Sequence, residues 1–517
     1  MTDNSPHVVV VGYGPVAARL VEELMPAVRC GELAVTVIGE ESSAAYNRVL
    51  VADLGVGRTT VAAISVSDPA ELAAAGVRVL MDVSVLRVDR ARRCVLLGDG
   101  TSVHYDKLVF ATGSRPLVPP LHGLNPDPAA GVPLPPGVTS LRDLRDAAVL
   151  RRAVEQRRRV VVLGGGILGL EAALAARDEG AVVTVVHHGP HALGRSVDAG
   201  AGYTLAAALR ASGITVLPHA RSIGVRLDAA PDGVRAFAAL LQENGPPIEG
   251  DLLLLSCGVR PRVEVAAGAG LVTNRGIVVD HRLQALHDPC VFAIGDCAEI
   301  KCLDTECADC ADSTAPMGLI GPGWRQAEWL AAFLTGREAA AGPLPAERAP
   351  VMMLKARGVD VAAAGDIATG PFDAPHDESS RGVAFGDAPQ VSVWADPEHG
   401  KYVKMSTRGG ALAGFISVGM PRTAAELTLL FERGAELPAD RSALLRLDGP
   451  DRPTTTASDP ARTVCRCAGV DQQTISAAAA AGCATVQEVS AATRAGTGCG
   501  GCHGELTALI QAHFAAV

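Results

Sequence analysis

The sequence predicts an α/β protein: two Rossmann-like dinucleotide-binding domains, a small α+β domain and a small helical C-terminal domain. Three observations carry this. A glycine fingerprint follows a valine-rich run at residues 12–17, and the pattern recurs at 164–169. After Val351 the chain turns to short strands and tight turns. A C-x-C … C-x2-C array, with Cys465, Cys467, Cys499 and Cys502, lies near the end.

The run His7–Val11 is short, apolar and β-branched, the mark of a buried parallel strand. Gly12, Gly14 and Ala17 follow and open a helical pattern over 17–25. A second strand, Ala34–Ile38, ends at Glu40. This is a βαβ unit with the G-x-G-x-x-A fingerprint. Its glycines permit a tight turn and let main-chain N–H groups approach a pyrophosphate at the helix N-terminus. A carboxylate at Glu40 suits ribose hydroxyls. The unit repeats as strand Arg159–Leu163, then Gly164, Gly166 and Gly169, a helix over 170–179, and strand Val182–Val186. Residues 116–137 are rich in proline and glycine and are expected to form a surface connection.

The cysteine module at 463–517 is too short to bury much core, and chains of that size need a staple. Two tight pairs of thiolates suit a structural zinc or a [2Fe–2S] cluster. Two disulfides are the alternative, in an oxidising compartment. Cys483 is expected to pack as a core residue, as is Cys30. A second group, Cys302, Cys307 and Cys310, has the C-x4-C-x2-C spacing of plant-type ferredoxin loops, with Cys297 as nearest fourth ligand. A second iron–sulfur cluster, a zinc clip and an exposed loop with spare thiols all remain open there.

The chain has 517 residues and a net charge of −10, so about three or four domains are expected. The acidic balance argues against nucleic acid and against an anionic membrane surface. No apolar run is long enough to span a bilayer. The N-terminus MTDNSPH has no basic leader, and a cytoplasmic location is expected.

Two further segments point to flavin: the run 107–116 (KLVFATGSRP) and the run 291–297 (VFAIGDC). With the fingerprints, they make residues 7–335 resemble the two-dinucleotide-fold flavoprotein reductases. The resemblance implies FAD on the first fingerprint, held by Gly12, Gly14, Ala17, Glu40, Thr112, Gly113, Arg115, Gly295 and Asp296. It implies NADH or NADPH on the second, held by Gly164, Gly166, Gly169 and His187. At 185–189 the chain reads VVHHG, with neither an acid for the 2′-hydroxyl of NADH nor an arginine for a 2′-phosphate.

No redox cysteine follows the first βαβ unit, so electrons must leave the flavin by another route. The segment YNRVL at 46–50, GLIGPGW at 318–324 and LKARGVD at 354–360 resemble NAD(P)H nitrite reductase large subunits and assimilatory nitrate reductase electron-transfer subunits. On that likeness Arg48 is the one catalytic candidate, near the flavin; a surface ion pair is its alternative. The C-terminal module resembles a bacterioferritin-associated-ferredoxin-like [2Fe–2S] domain. The expected domains are FAD-binding at 1–140 and 263–340, the latter with the cysteine-rich insertion 301–315. NAD(P)H binding falls at 141–262, the α+β domain at 348–438, a linker at 439–462 and the [2Fe–2S] domain at 463–517. A sirohaem domain, which nitrite reductase large subunits carry, would lie beyond Val517, so the chain is expected to carry electrons and not to reduce the oxyanion. The implied partner is a molybdenum-containing nitrate reductase catalytic subunit. Alternatives are a reductase serving nitrite reductase, a ferredoxin or an oxygenase, and a non-enzymatic iron–sulfur redox sensor or iron-handling protein.

Overall fold

The computed structural model describes residues 5–125, 132–229, 233–301, 316, 318–337, 344, 350–373, 389–448, 461–498 and 500–515. Its centre is an eight-stranded sheet with a run of five neighbouring parallel strands: Asp288–Ala293, Lys107–Phe110, His7–Val11, Ala34–Ile38 and Arg78–Leu80. Val8, Val9 and Val10 are fully buried, as expected where helices cover both faces of a parallel sheet. The helix Pro15–Arg29 starts with proline in its first turn, where a missing N–H costs nothing.

The second sheet has five parallel strands, in the order Thr215–Leu217, Val182–Val186, Arg159–Leu163, Leu252–Leu255 and Val138–Ser140. The helix Ile167–Asp178 follows its fingerprint. Each fold also carries a three-stranded antiparallel sheet, at Val85–Asp89, Cys94–Leu97 and Ser102–His104 and at Ser222–Ala229, Arg235–Gln242 and Ile248–Glu249. The connection after Pro116 is more than a surface segment. Leu121 is buried in the core with Val138 and Phe237, and His122 bridges to Gly224.

The third unit is a five-stranded antiparallel sheet backed by the helix Pro421–Arg433. Phe415 and Phe431 meet edge to face in its core, with centroids 6.0 Å apart. In the segment read as a linker, Ser442–Leu445 forms a short helix whose Leu444 is buried. The last unit pairs Thr463–Cys465 with Val470–Asp471 and adds helices Gln472–Ala480, Val486–Thr493 and His503–Ala515. The middle helix begins with a capping box between Thr485 and Glu488, a sequence-local start signal. Among the described residues no helix is long and apolar enough to cross a membrane.

Candidate cofactor and electron-transfer site

A cavity of about 1810 Å³ opens beside the first fingerprint, larger than a pocket for a drug-sized ligand. Gly12, Gly14, Glu40, Arg48, Thr112, Gly113, Arg115, Gly295 and Asp296 all line it. Ala17 does not; it is fully buried between helix and sheet. The two glycines of the turn differ in their physical requirement. Gly12 has φ +107°, and a Cβ there would stand 2.2 Å from Ala111 O. At Gly14 the nearest atom to a Cβ would be Arg48 Nε, at 3.9 Å. Gly14 caps the first helix without any side-chain hydrogen bond, so the helix-end N–H groups face the cavity. That cradle fits a pyrophosphate.

Arg48 is fixed from three sides. It donates to Tyr46 Oη at 3.0 Å and to Arg142 O at 3.2 Å, and it pairs with Glu41. Tyr46 donates in turn to Glu41 Oε2 at 2.7 Å. Burial pushes the Glu41 carboxyl up, but the charge and hydrogen bond of Arg48 outweigh it and hold the carboxyl below its ordinary value. Glu40 pairs with Arg262, whose carbonyl accepts from Thr112 Oγ1 at 2.7 Å. Arg115 pairs with Glu264.

Asp296 Oδ2 accepts from Ser114 Oγ and from Arg142 Nη2, each at 2.8 Å. Arg142 Nε is buried without a hydrogen-bond partner, an uncommon state that points to an absent acceptor. Gly295 has φ +71° and its N–H donates to Gln326 Oε1 at 2.8 Å. These polar groups and the open helix end fit FAD. Arg142 and Gln326 escape a motif search because they act through contacts distant in sequence, with Asp296 and Gly295, whereas Glu41 and Tyr46 meet Arg48 inside one short loop whose path no motif specifies. Only Gln326 and Tyr46 lie in segments whose pattern stands out.

At the second fingerprint, a Cβ on Gly164 would stand 2.1 Å from Ser256 O, and one on Gly169 would stand 2.9 Å from Gly164 O. Gly166 has nothing within 4 Å and caps its helix without a side chain. This is the same division of labour as in the first fold, and it fits a second dinucleotide. Ile167, Leu168 and Glu171 from this helix reach the cavity. His187 is buried, with Nε2 lacking a partner, and burial holds its pKa below the ordinary value.

In the C-terminal module Cys465 and Cys502 are buried, and Cys465 Sγ lies 3.8 Å from Cys467 Sγ. The Gly496 N–H donates to Cys465 Sγ at 3.3 Å. A Cβ on Gly498 would stand 2.4 Å from Cys467 Sγ. Sulfur ligands with a main-chain N–H directed at them fit an iron–sulfur centre. Cys499 lies outside the described residues, and among the described residues no group of three or more His, Cys, Asp and Glu side chains could hold a metal ion. Cys467 and Arg466 line the same cavity as Gly14 and Arg48.

Cys302, Cys307 and Cys310 lie outside the described residues. Cys297 is fully buried, with its thiol donating to Phe110 O at 3.4 Å. Cys30, expected in the core, is exposed at the end of the first helix. Cys483 is partly buried against the module's core.

A family model for the pyridine nucleotide-disulphide oxidoreductases matches residues 6–317, and one for the BFD-like [2Fe-2S] binding domain matches 463–512. The nitrite reductase [NAD(P)H] of Bacillus subtilis (strain 168) is 28% identical over 508 residues, covering 97% of this chain and 57% of that protein. The assimilatory nitrate reductase electron transfer subunit of the same organism is 26% identical over 501 residues, covering 96% and 58%. The nitrite reductase (NADH) large subunit of Escherichia coli (strain K12) is 28% identical over 514 residues, covering 98% and 55%. The chain thus spans little more than half the length of these curated relatives. The crystal structure of the covalent putidaredoxin reductase–putidaredoxin complex shares the fold, with a TM-score of 0.68 at 23% identity, covering 85% of this chain and 96% of that one. The cofactors are FAD and NAD(P)H for the reductase body and [2Fe–2S] for the C-terminal domain. With both fingerprints built as dinucleotide cradles and the family match spanning more than half its length, the chain belongs to the pyridine nucleotide-disulphide oxidoreductases and carries a C-terminal BFD-like [2Fe–2S] domain.

Proposed function

We propose that the chain is an NAD(P)H-oxidising electron-transfer flavoprotein of the cytoplasm whose partner is a molybdenum-containing nitrate reductase catalytic subunit. One observation carries the electron-transfer reading: a single cavity runs from Gly12 and Gly14, past Arg48 and Asp296, to Arg466 and Cys467 of the cysteine module. Held at these sites, FAD would supply a hydride acceptor for NAD(P)H and the [2Fe–2S] centre a one-electron carrier toward the acceptor. The chain's own groups bind and orient. The helix end at Gly14 receives the pyrophosphate, Glu40 the ribose, and Asp296 with Arg142 the polar chain between phosphate and ring. Gly166 opens the second cradle. Positioning is the main catalytic contribution of such a site.

The nitrate reductase partner is supported by the Bacillus subtilis electron transfer subunit, aligned over 96% of this chain. A second reading, service to nitrite reduction, is favoured by the two nitrite reductases aligned over 97% and 98%. Steady oxidation of NADH or NADPH with ferricyanide or a viologen dye tests the electron-transfer reading, and its absence from cofactor-loaded protein rejects it. Pull-down from cells growing on nitrate, followed by nitrate- and nitrite-dependent NAD(P)H consumption, separates the two partners.

A further inference from the structure

One side chain touches both the flavin-side loop and the cysteine module. Asn47 is 1% exposed, whereas asparagine is mostly a surface residue. Its Oδ1 accepts from the Val49 N–H at 3.0 Å and caps the short turn Arg48–Leu50. Its Nδ2 donates to the carbonyls of Thr497 and Gly498, each at 2.5 Å. Only this orientation of the amide satisfies all three partners, because the N–H needs an acceptor and the two carbonyls need donors. The Asn47 main-chain N–H is itself anchored on Ile64 O at 2.7 Å.

What it holds at each end gives this link its meaning. The next residue in sequence is Arg48, which lines the cavity beside Gly14. At the other end, Gly498 packs against Cys467, with room for no side chain. Two further polar ties join module and body through more exposed groups. Arg494 pairs with Glu22, whose side chain is 47% exposed, and Arg466 Nη2 donates to Ala425 O at 2.8 Å. Neither runs through a side chain buried like Asn47.

We propose that Asn47 is a positioning residue that sets the separation between the flavin site and the cysteine module. The proposal rests on the electron-transfer reading above. The rate of electron tunnelling falls exponentially with separation. A loosened loop at 497–498 therefore slows transfer into the module and leaves hydride transfer at the far end of the cavity alone. Asn47→Asp isolates this role. It keeps an acceptor for the Val49 N–H but presents oxygen, not N–H, to the two carbonyls. Asn47→Ala removes both functions.

The test uses the full chain loaded with FAD and its iron–sulfur centre, mixed anaerobically with NAD(P)H in stopped flow. Flavin bleaching should stay at the parental rate, while reduction of the iron–sulfur centre, followed by its visible and EPR signals, should become markedly slower than in the parent. A second readout needs no cofactor: amide exchange of residues 495–500 should rise in the unloaded variant and stay unchanged around Gly12 and Gly14. Should either variant fail to fold, Asn47→Ser keeps a cap acceptor and one donor and should show an intermediate rate. A parental rate into the centre in Asn47→Asp with parental iron content, or unchanged exchange at 495–500, overturns the proposal. If the parent itself shows no flavin-to-centre phase, the functional reading fails, and the exchange result alone then decides whether Asn47 holds the loop.

Discussion

Arg142 Nη2 donates to Asp296 Oδ2 at 2.8 Å across 154 residues of sequence. The bond joins the start of the nicotinamide-side region to the second segment of the flavin fold, and both side chains line the cavity. Ser114 completes the cluster, since Arg142 Nη2 also donates to its Oγ at 2.8 Å.

Arg142→Met should therefore weaken flavin retention. It strips Asp296 of its cation and removes the buried Nε that has no hydrogen-bond partner. The loss of such a charged, partly buried partner is about 1–3 kcal/mol, which is about five- to 150-fold in Kd. Arg142→Lys should fall between, because an ammonium keeps the charge but not the fork. Titration of apoprotein with FAD measures this, and a parental Kd in Arg142→Met would show that the cluster has no part in binding.

The two fingerprint glycines should fail differently. Gly14→Val has open space for its side chain beyond Arg48, so the variant should fold and come out colourless. Gly12→Val must enter a φ of +107° and meet Ala111 O at 2.2 Å, so it should lose the fold, with about 1–3 kcal/mol from the backbone alone. Circular dichroism and flavin absorbance separate the outcomes. A yellow Gly14→Val with full flavin occupancy contradicts the cradle.

Gly166→Val should fold and keep its flavin, since nothing lies within 4 Å of that Cβ position. NADH and NADPH should no longer bleach the flavin, while dithionite still does. Reduction by either nucleotide at the parental rate would place hydride donation elsewhere.

His187 should make the protein less stable in acid. Burial, and then the neighbouring His188, His191 and His219, hold its pKa below 6.5, opposed by a hydrogen bond to the Gly189 main chain. The unfolded chain then takes up the proton first, so stability is complete above about pH 6.5 and falls as pH drops through the folded value. His187→Gln removes this one contribution. Its Tm should fall less between neutral and mildly acidic pH than the parent's, and parallel Tm profiles would count against a buried neutral imidazole.

Much of the architecture was legible from one dimension. Strands His7–Val11, Ala34–Ile38, Arg159–Leu163 and Val182–Val186 are continuous β-branched runs, and each fingerprint follows its strand directly. These signals are local: a period, a turn residue, a helix start. Cys30 shows the limit of such reading, because an apolar residue type at a helix end is exposed by where the chain turns and not by its chemistry. Leu121 shows the converse, a residue in a proline-rich connection drawn into a core by Val138 and Phe237.

The sequence by itself determined the two dinucleotide folds, their cofactor class and the thiol array, because strand period, glycine turns and cysteine spacing are short-range properties of the chain. Only the tertiary structure decided that Arg142 meets Asp296, that Glu41 and Tyr46 fix Arg48, and that Asn47 ties the flavin-side loop to residues 497–498. The Arg142–Asp296 and Asn47–loop pairs are set by how separate units pack, a property of the whole fold that no local pattern encodes, while the Arg48 contacts are set by the path its short loop takes across the cavity wall.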